Sequence, residues 1–108
     1  MLSALRMAEL RTESHGEVLW ISGIDRLTSD NHKWFRELVL TTLRPEHTTV
    51  SVDLSRAVSL DSEGLGALIS VYKRLRERNG TLRLVRPLPL VREMIQLLHF
   101  ERLFEVTD

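Results

Sequence analysis

Short β-branched segments alternate with longer segments of helical periodicity along almost the whole chain. After two strand-like segments, at 7–13 and 17–23, the order continues helix, strand, helix, strand, helix, strand. Strands that are joined through helices pair in parallel with right-handed crossovers. The two opening segments flank the turn sequence Ser-His-Gly and predict an antiparallel hairpin at one edge. We therefore expect an α/β fold with a mixed, mostly parallel sheet of about five strands and helices mainly on one face.

Three segments have the apolar spacing of amphipathic helices. The first has Thr28, Ser29 or Asp30 as its candidate cap, and the second ends at Asn79-Gly80, which tolerates left-handed backbone angles. The predicted inward-facing residues are Phe35, Leu38, Val39 and Thr42 in the first helix, Leu65, Leu68, Ile69, Tyr72 and Leu75 in the second, and Val91, Met94, Ile95 and Leu98 in the third.

The segments between the helices complete the predicted sheet. The further strands are expected at 48–54, 81–86 and 102–106, and the third helix at 90–100. The loop before the second helix contains Val58 and Leu60, which we expect to lie against the core. Leu90 and Leu97 lie beside the inward stripe of the third helix, so they are either additional core or a second contact surface.

The composition is that of one ordinary globular domain spanning residues 1–108, large enough for a modest core. Lysine plus arginine and aspartate plus glutamate number 15 each, so no long-range field favours nucleic acid or a membrane surface. Cysteine is absent, which excludes disulfides and thiolate metal sites and suits the cytoplasm. No apolar run approaches the roughly 20 residues that span a bilayer, and the charged start does not resemble a signal peptide.

The start of the second helix holds an unusual run of polar residues and glycines. Asp61 or Ser62 can cap the helix, and Glu63 complements its macrodipole. Gly64 and Gly66 lie in the first turns, where each costs roughly 0.5–1 kcal/mol relative to alanine. A capped helix with glycines for tight packing explains this run. Close approach of another molecule to the backbone is the alternative explanation.

The outward face of the second helix is small and nearly uncharged in its first two turns. At 100° per residue, the residues that point away from the apolar stripe are Glu63, Ala67, Ser70, Arg74 and Glu77. Such a patch beside a serine is suited to docking another protein. Plain exposure to solvent explains the same pattern.

The segment from about Glu17 to Val106 resembles the STAS domain, the family of bacterial anti-sigma factor antagonists. The strongest correspondence is the family's D-S-x-G-L-G turn, which is present as residues 61–66. The sequence VDLS before this turn, YKR within the following helix and the closing LFEV support the resemblance.

The resemblance implies a non-enzymatic regulator that needs no cofactor. Ser62 is the implied phosphate acceptor, and the implied partner is a serine kinase of the histidine-kinase-like ATPase type or a related anti-sigma factor. In such antagonists the dephosphorylated form binds this partner and frees a sigma factor; a phosphatase would restore it. The residues implied around the phosphorylation site are Asp25, Asp61, Glu63 and Gly64. The expected partner-binding residues are Glu63, Gly66, Ala67, Ser70 and Arg74.

A second STAS role needs the docking helix but no phosphorylation. Some members are scaffolds of stress-sensing assemblies or subunits that bind the ATPase of a lipid transporter. Glu63 favours this alternative, because it stands where many relatives have a small residue after the serine.

Enzymatic, metal-binding and RNA-binding functions have weaker support. Gly64 and Gly66 match part of a dinucleotide fingerprint, but Ile69 stands at the third glycine position, and no GxxxxGK[ST] motif is present. The basic run YKRLRER is interrupted by Glu77 and lies near a helix end that favours cations. The four histidines, His15, His32, His47 and His99, show no metal-ligand spacing.

Overall fold

The structure is a computed structural model that describes residues 10–108. A single turn of 3₁₀ helix, Phe100–Arg102, precedes the last strand. The other elements in chain order are β1 (Arg11–His15), β2 (Val18–Ser22), β3 (Arg26–Leu27), α1 (His32–Thr42), β4 (Thr49–Asp53), β5 (Ser59–Leu60), α2 (Ser62–Arg76), β6 (Thr81–Val85), α3 (Pro89–Leu97) and β7 (Glu105–Thr107).

The main sheet has five strands in the order β1-β2-β4-β6-β7. The edge strand β1 is antiparallel to β2, and every other pair in this sheet is parallel. Helices α1, α2 and α3 each connect one parallel strand to the next. The predicted mixed sheet with a hairpin at one edge is therefore confirmed. The small parallel pair of β3 and β5 was not predicted, because two-residue strands carry no periodic signal.

One face of the sheet carries the hydrophobic core. Pairing between strands aligns two buried rows, Leu19–Val50–Leu82 and Ile21–Val52–Leu84. The helices add buried residues to the same cluster, among them Phe35 and Val39 from α1, Leu68 and Val71 from α2, and Val91 and Ile95 from α3. Because side chains alternate along a strand, the opposite face carries mainly polar residues such as Ser51 and Arg83. The helices thus cover one face, as predicted.

The opening hairpin differs from the prediction in its turn. His15 pairs with Val18, so the chain reverses at Gly16 and Glu17 rather than at Ser-His-Gly. Gly16 has a φ of +61°, a conformation that glycine adopts without steric cost. The predicted first strand began at Met7, and its residues 7–9 lie outside the described residues.

The start of α1 also differs from the prediction. Its N-cap is Asn31 and not Thr28, Ser29 or Asp30, and no side chain caps the helix. The Asn31 Oδ1 atom accepts a hydrogen bond from the Thr28 amide at 3.0 Å, so its amide group holds the preceding loop instead. Asn31 is buried, which explains why this loop needs an internal hydrogen-bonding partner.

Two residues that were predicted to face the core are exposed. Val58 is 68% exposed and lies just before β5, outside the strand that carries Leu60 into the core. Leu98 is 50% exposed, because α3 ends at Leu97 rather than near Phe100. His99 then adopts a left-handed φ of +60° and redirects the chain into the 3₁₀ turn. The closing strand consequently begins at Glu105, later than predicted, with Phe104 buried before it.

Candidate functional site at the start of helix α2

Asp61 caps helix α2 with its side chain. Its Oδ1 atom accepts a hydrogen bond from the Gly64 amide at 2.8 Å, which satisfies one of the free N–H groups of the first turn. The Asp61 amide donates to the Leu27 carbonyl at 3.3 Å, so the cap continues the pairing of β5 with β3. From the sequence, either Asp61 or Ser62 could cap the helix. The structure assigns the capping hydrogen bond to Asp61.

The second carboxylate oxygen of Asp61 connects α2 to the loop before α1. Oδ2 accepts a hydrogen bond from the Ser29 amide at 2.9 Å, across 32 residues of sequence. The Gly64 amide lowers the pKa of Asp61 below its ordinary value of 3.8, and the Ser29 amide adds to this effect against the opposing influence of desolvation. Both hydrogen bonds favour the ionised carboxylate, so Asp61 carries its charge at neutral pH.

Gly64 lies where the chain's own backbone approaches α2. A Cβ atom on Gly64 would lie 2.0 Å from the carbonyl oxygen of Leu27, so no side chain fits here. The contact that requires this glycine is therefore internal. Gly66 is different, because a Cβ atom on it would meet nothing within 4 Å. Of these two glycines, Gly66 alone leaves exposed backbone that another molecule can approach.

Ser62 is the first residue of α2, and it is exposed. Its hydroxyl makes no hydrogen bond within residues 10–108, where Asp61 already serves as the cap. The hydroxyl oxygen is therefore not needed to hold the turn. It lies beside the free amides and the positive dipole end of the helix.

Glu63 is paired with a residue that sequence reasoning did not include in the site. The Nε2 atom of His32, the first residue of α1, lies 3.1 Å from Oε2 of Glu63. The Glu63 side chain is 56% exposed and that of His32 is 18% exposed. When His32 is protonated, the pair offsets the negative charge next to Ser62. No local sequence signal indicates this pair, because its members come from different helices.

The exposed face of α2 contains four of the five predicted docking residues. Glu63, Gly66 and Arg74 are exposed, and Ser70 is half-buried with its hydroxyl donating to the Gly66 carbonyl at 3.1 Å. The prediction that Ala67 lies on this face is wrong, because Ala67 is only 2% exposed and belongs to the core. Helix α1 packs against α2, so α2 buries a wider arc than one apolar stripe.

Asp25 lies just before β3, and its backbone is linked to the segment that leads into β5 and α2. Its carbonyl accepts a hydrogen bond from the Val58 amide at 2.9 Å, and its side chain is exposed. Val58 precedes Ser62 by four residues, so their Cα atoms are at most about 13 Å apart. Two groups that sequence reasoning did not place at the site contact the α2 turn through its side chains, the Ser29 amide at Asp61 and the His32 ring at Glu63.

Within residues 10–108, no cluster of three or more histidine, aspartate or glutamate side chains is arranged to hold a metal ion. None of the helices in that part of the chain has the length and apolar character that crossing a bilayer requires.

The arrangement defines a small α/β domain whose most distinctive polar feature is an exposed serine at a capped helix start. A family model described as "Mlab, STAS domain" matches residues 8–105. The chain therefore belongs to the STAS family. No curated protein sequence matches the chain.

Solved structures of low sequence identity share the fold. A presumed anti-sigma factor antagonist from Thermotoga maritima has a TM-score of 0.85 at 20% identity, covering 94% of this chain and 88% of its own. A STAS-domain anti-sigma-factor antagonist from Planctomyces limnophilus has a TM-score of 0.80 at 22% identity, with coverage of 94% and 90%. The phosphorylated form of the Bacillus cell fate determinant SpoIIAA has a TM-score of 0.72 at 20% identity, with coverage of 92% and 91%.

Proposed function

We propose that this chain is a non-catalytic, cytoplasmic anti-sigma factor antagonist whose binding is switched by phosphorylation of Ser62. Its partner is an anti-sigma factor or a serine kinase of the histidine-kinase-like ATPase type, and a phosphatase returns it to the binding form. Membership of the STAS family and the fold shared with antagonists support this role.

One observation carries the assignment of Ser62. Its hydroxyl is exposed at the first residue of α2 and is not used in capping, because Asp61 makes the capping hydrogen bond. A modification of this oxygen therefore removes no hydrogen bond within the described fold.

The helix start tolerates an added phosphate. Phosphorylation adds about 1.5 to 2 negative charges at neutral pH, and helix N-termini stabilise anions through their free amides and dipole. Two carboxylates flank Ser62 in sequence: that of Asp61 accepts hydrogen bonds from the Gly64 and Ser29 amides, and that of Glu63 lies 3.1 Å from Nε2 of His32. This pairing reduces the repulsion between Glu63 and the phosphate when His32 is protonated. The domain can then carry the phosphate without unfolding.

The same phosphate acts strongly on a docked partner. Like charges that face each other across an interface cost several kcal/mol, and each 1.4 kcal/mol changes affinity tenfold. The exposed surface next to Ser62 comprises Glu63, Gly66, Ser70 and Arg74, which we propose as the contact face. Phosphorylation at its edge would thus abolish binding while the fold stays intact.

A phosphorylation assay tests the acceptor. Candidate kinases of the histidine-kinase-like ATPase type are incubated with ATP and the wild-type protein, Ser62→Ala or Ser59→Ala, and any phosphate is mapped by mass spectrometry. We expect modification of the wild type and of Ser59→Ala, and none of Ser62→Ala. Ser59 is the matched control because it is also exposed and lies three residues away. A phosphate on another residue would refute the acceptor assignment.

Glu63 supports a second candidate function, that of a constitutive STAS subunit or scaffold bound to an ATPase in a lipid-transporter or stress-sensing complex. A fixed carboxylate beside Ser62 already places negative charge at the contact face, so such a subunit would not need phosphorylation. Partner affinity of the wild type, Ser62→Ala and Ser62→Asp separates the two functions. Loss of about tenfold or more for Ser62→Asp alone favours the switch. Equal affinity of all three favours the constitutive subunit.

The affinity measurement needs a control for charge alone. Thr12→Asp introduces the same negative charge at an exposed position on the edge strand β1. We expect it to bind as the wild type does. A comparable loss with Thr12→Asp would assign the effect to net charge rather than to Ser62.

A further inference from the structure

A second surface feature lies beside the α2 turn. An open groove of about 450 Å³ runs between α3 and the segment that contains β5. Its lining is almost entirely apolar, and Glu93 is the only charged residue in it. The lining residues are Val58, Ser59, Leu60, Leu90, Val91, Glu93, Met94, Leu97 and Leu98.

Large apolar side chains are exposed at this groove. Leu90 is 71% exposed, Leu97 72% and Val58 68%, so these residues are not additional core. On α3, Leu90, Met94 and Leu97 follow the spacing of one helical stripe, and Val91 and Ile95 form the neighbouring buried stripe. Leu98 also lines the groove and is 50% exposed, whereas Leu103, at 41%, lies outside the lining. Contiguous exposed apolar surface of this kind indicates a binding surface.

The groove lies close enough to Ser62 for one protein interface to cover both. Ser59 lines the groove and precedes Ser62 by three residues, so their Cα atoms are at most about 11 Å apart. A stable protein interface buries about 800 Å² on each partner, which corresponds to a disc of roughly 16 Å radius. A partner whose interface is centred near Ser62 can therefore contact the groove as well.

The surroundings of the groove define the chemistry of this partner. A carboxylate lies in the lining at Glu93, and the exposed Asp25 is joined through its carbonyl to the amide of Val58, another lining residue. The complementary surface has apolar side chains that enter the groove and basic residues at the rim. The stripe from Leu90 to Leu98 is about 12 Å long, which matches two turns of a partner helix.

We propose that the groove and the α2 turn form one continuous interface. The groove holds an amphipathic helix with basic flanks, and this helix belongs to the partner whose binding depends on the phosphorylation state of Ser62. This inference rests on the proposed function, because it names a second contact of the same partner. The groove then supplies most of the affinity through apolar burial, and the phosphorylation state of Ser62 determines whether the partner binds. Phosphorylation need not alter the groove to release the partner.

Affinity measurements on matched leucine variants test the proposal. The probe is a purified anti-sigma factor or switch kinase, titrated with wild type, Leu90→Gln, Leu97→Gln and Leu103→Gln. Leu103 is 41% exposed and lies outside the groove lining, so it controls for the loss of an exposed leucine. We expect about tenfold weaker binding for Leu97→Gln and Leu90→Gln, and less than about twofold change for Leu103→Gln. Thermal melts establish that all variants fold.

The outcomes separate the two proposals. If Leu97→Gln binds as tightly as the wild type while Ser62→Asp binds less tightly, the groove proposal is wrong and the switch stands. If no anti-sigma factor or switch kinase binds the wild type, both proposals fall. If sedimentation shows a wild-type dimer that Leu97→Gln dissociates, a second copy of the chain occupies the groove and the helix proposal is overturned.

A cross-linking experiment identifies the occupant directly. The chain contains no cysteine, so Leu97→Cys and Leu103→Cys each provide a single attachment point for a photoreactive label. In the complex, we expect the label at Leu97→Cys to modify an apolar helical segment of the partner. Equal labelling from Leu103→Cys, or labelling of a segment that is not helical, contradicts the proposal.

Discussion

The inner and outer sides of the first turn of α2 differ in what each residue contacts. On the inner side, Gly64 lies against the backbone of Leu27, and Asp61 bonds to the amides of Gly64 and Ser29. On the outer side, Ser62 is exposed and Gly66 has open space around its Cα atom. The inner side therefore holds the fold together, and the outer side is free to be modified or covered.

This difference shows that residues of a single sequence motif can be constrained either by packing within the fold or by contact with a partner. Two glycines two residues apart look equivalent in D-S-x-G-L-G, yet only Gly64 has its place dictated by the fold. The described fold does not require a glycine at position 66, so the backbone there is open to the partner proposed above. Substitutions on the two sides should consequently give opposite results in stability and in binding.

The largest effect is expected for Gly64→Ala. The added methyl group would lie 2.0 Å from the Leu27 carbonyl oxygen, so β3 or α2 must move. Overpacking of this kind costs about 3 kcal/mol of unfolding free energy, and a backbone atom cannot rotate away as a side chain would. Urea denaturation measures this loss. An unchanged denaturation midpoint would show that the inner side is not tightly packed.

The Asp61 carboxylate is expected to have the next largest effect. Asp61→Ala removes the cap and the link to Ser29, so we expect its thermal midpoint at pH 7 to fall by several degrees. Asp61→Asn keeps an oxygen that can accept from the Gly64 amide, so it should lose less. Equal midpoints for wild type and Asp61→Ala would contradict the role of this carboxylate.

The contribution of Asp61 should also depend on pH. Its pKa is lower in the folded protein than the ordinary value of 3.8, so the folded state binds the proton more weakly than the unfolded state. The stabilisation is therefore complete at pH values well above 4 and is lost as the pH falls through the folded-state pKa. We expect the melting difference between wild type and Asp61→Ala to shrink below about pH 4. The difference between Asp61→Asn and Asp61→Ala should stay constant, because neither residue titrates.

Gly66→Ala should act in the opposite direction to Gly64→Ala. Nothing lies within 4 Å of the added methyl group, and alanine is favoured over glycine in a helix by roughly 0.5–1 kcal/mol. We expect a more stable protein in urea denaturation and weaker partner binding. A stabilised variant with unchanged affinity would remove Gly66 from the contact face.

The smallest effects on stability are expected at Ser62 and Glu63. Ser62→Ala removes no hydrogen bond within the described residues, and Glu63→Gln weakens a partly exposed ion pair with His32. Each change should alter the unfolding free energy by less than about 0.5 kcal/mol. A larger loss in Ser62→Ala would show that the hydroxyl is structural and would weaken the switch proposal.

The order of elements and the site motif were predictable because their signals are local. Helix α2 shows apolar spacing over four turns, and Asn79, with a φ of +56°, lies just beyond its end as predicted. The cap, the exposed serine and the acidic neighbour all lie within three consecutive residues. Sequence reasoning could therefore place residues 61–63 at a helix start without knowing what packs against it.

The remaining features depend on contacts between distant segments. Ala67 was misplaced because its burial depends on α1 as well as on the helix's own periodicity. His32 and Ser29 were missed because they reach the site through the pairing of β3 with β5, two strands too short to predict. The same pairing explains Gly64 and leaves Val58 exposed beside the groove.

By itself, the sequence determined the alternation of strands and helices, the capped start of α2 and the resemblance to the STAS family. Only the tertiary structure decided which of two similar glycines is buried, which carboxylate oxygen binds which loop, and which leucines of α3 stay exposed. The physical reason is that hydrogen-bonding preference and periodicity act within a few residues of chain. Burial and close approach are set by segments that meet only when the chain has folded.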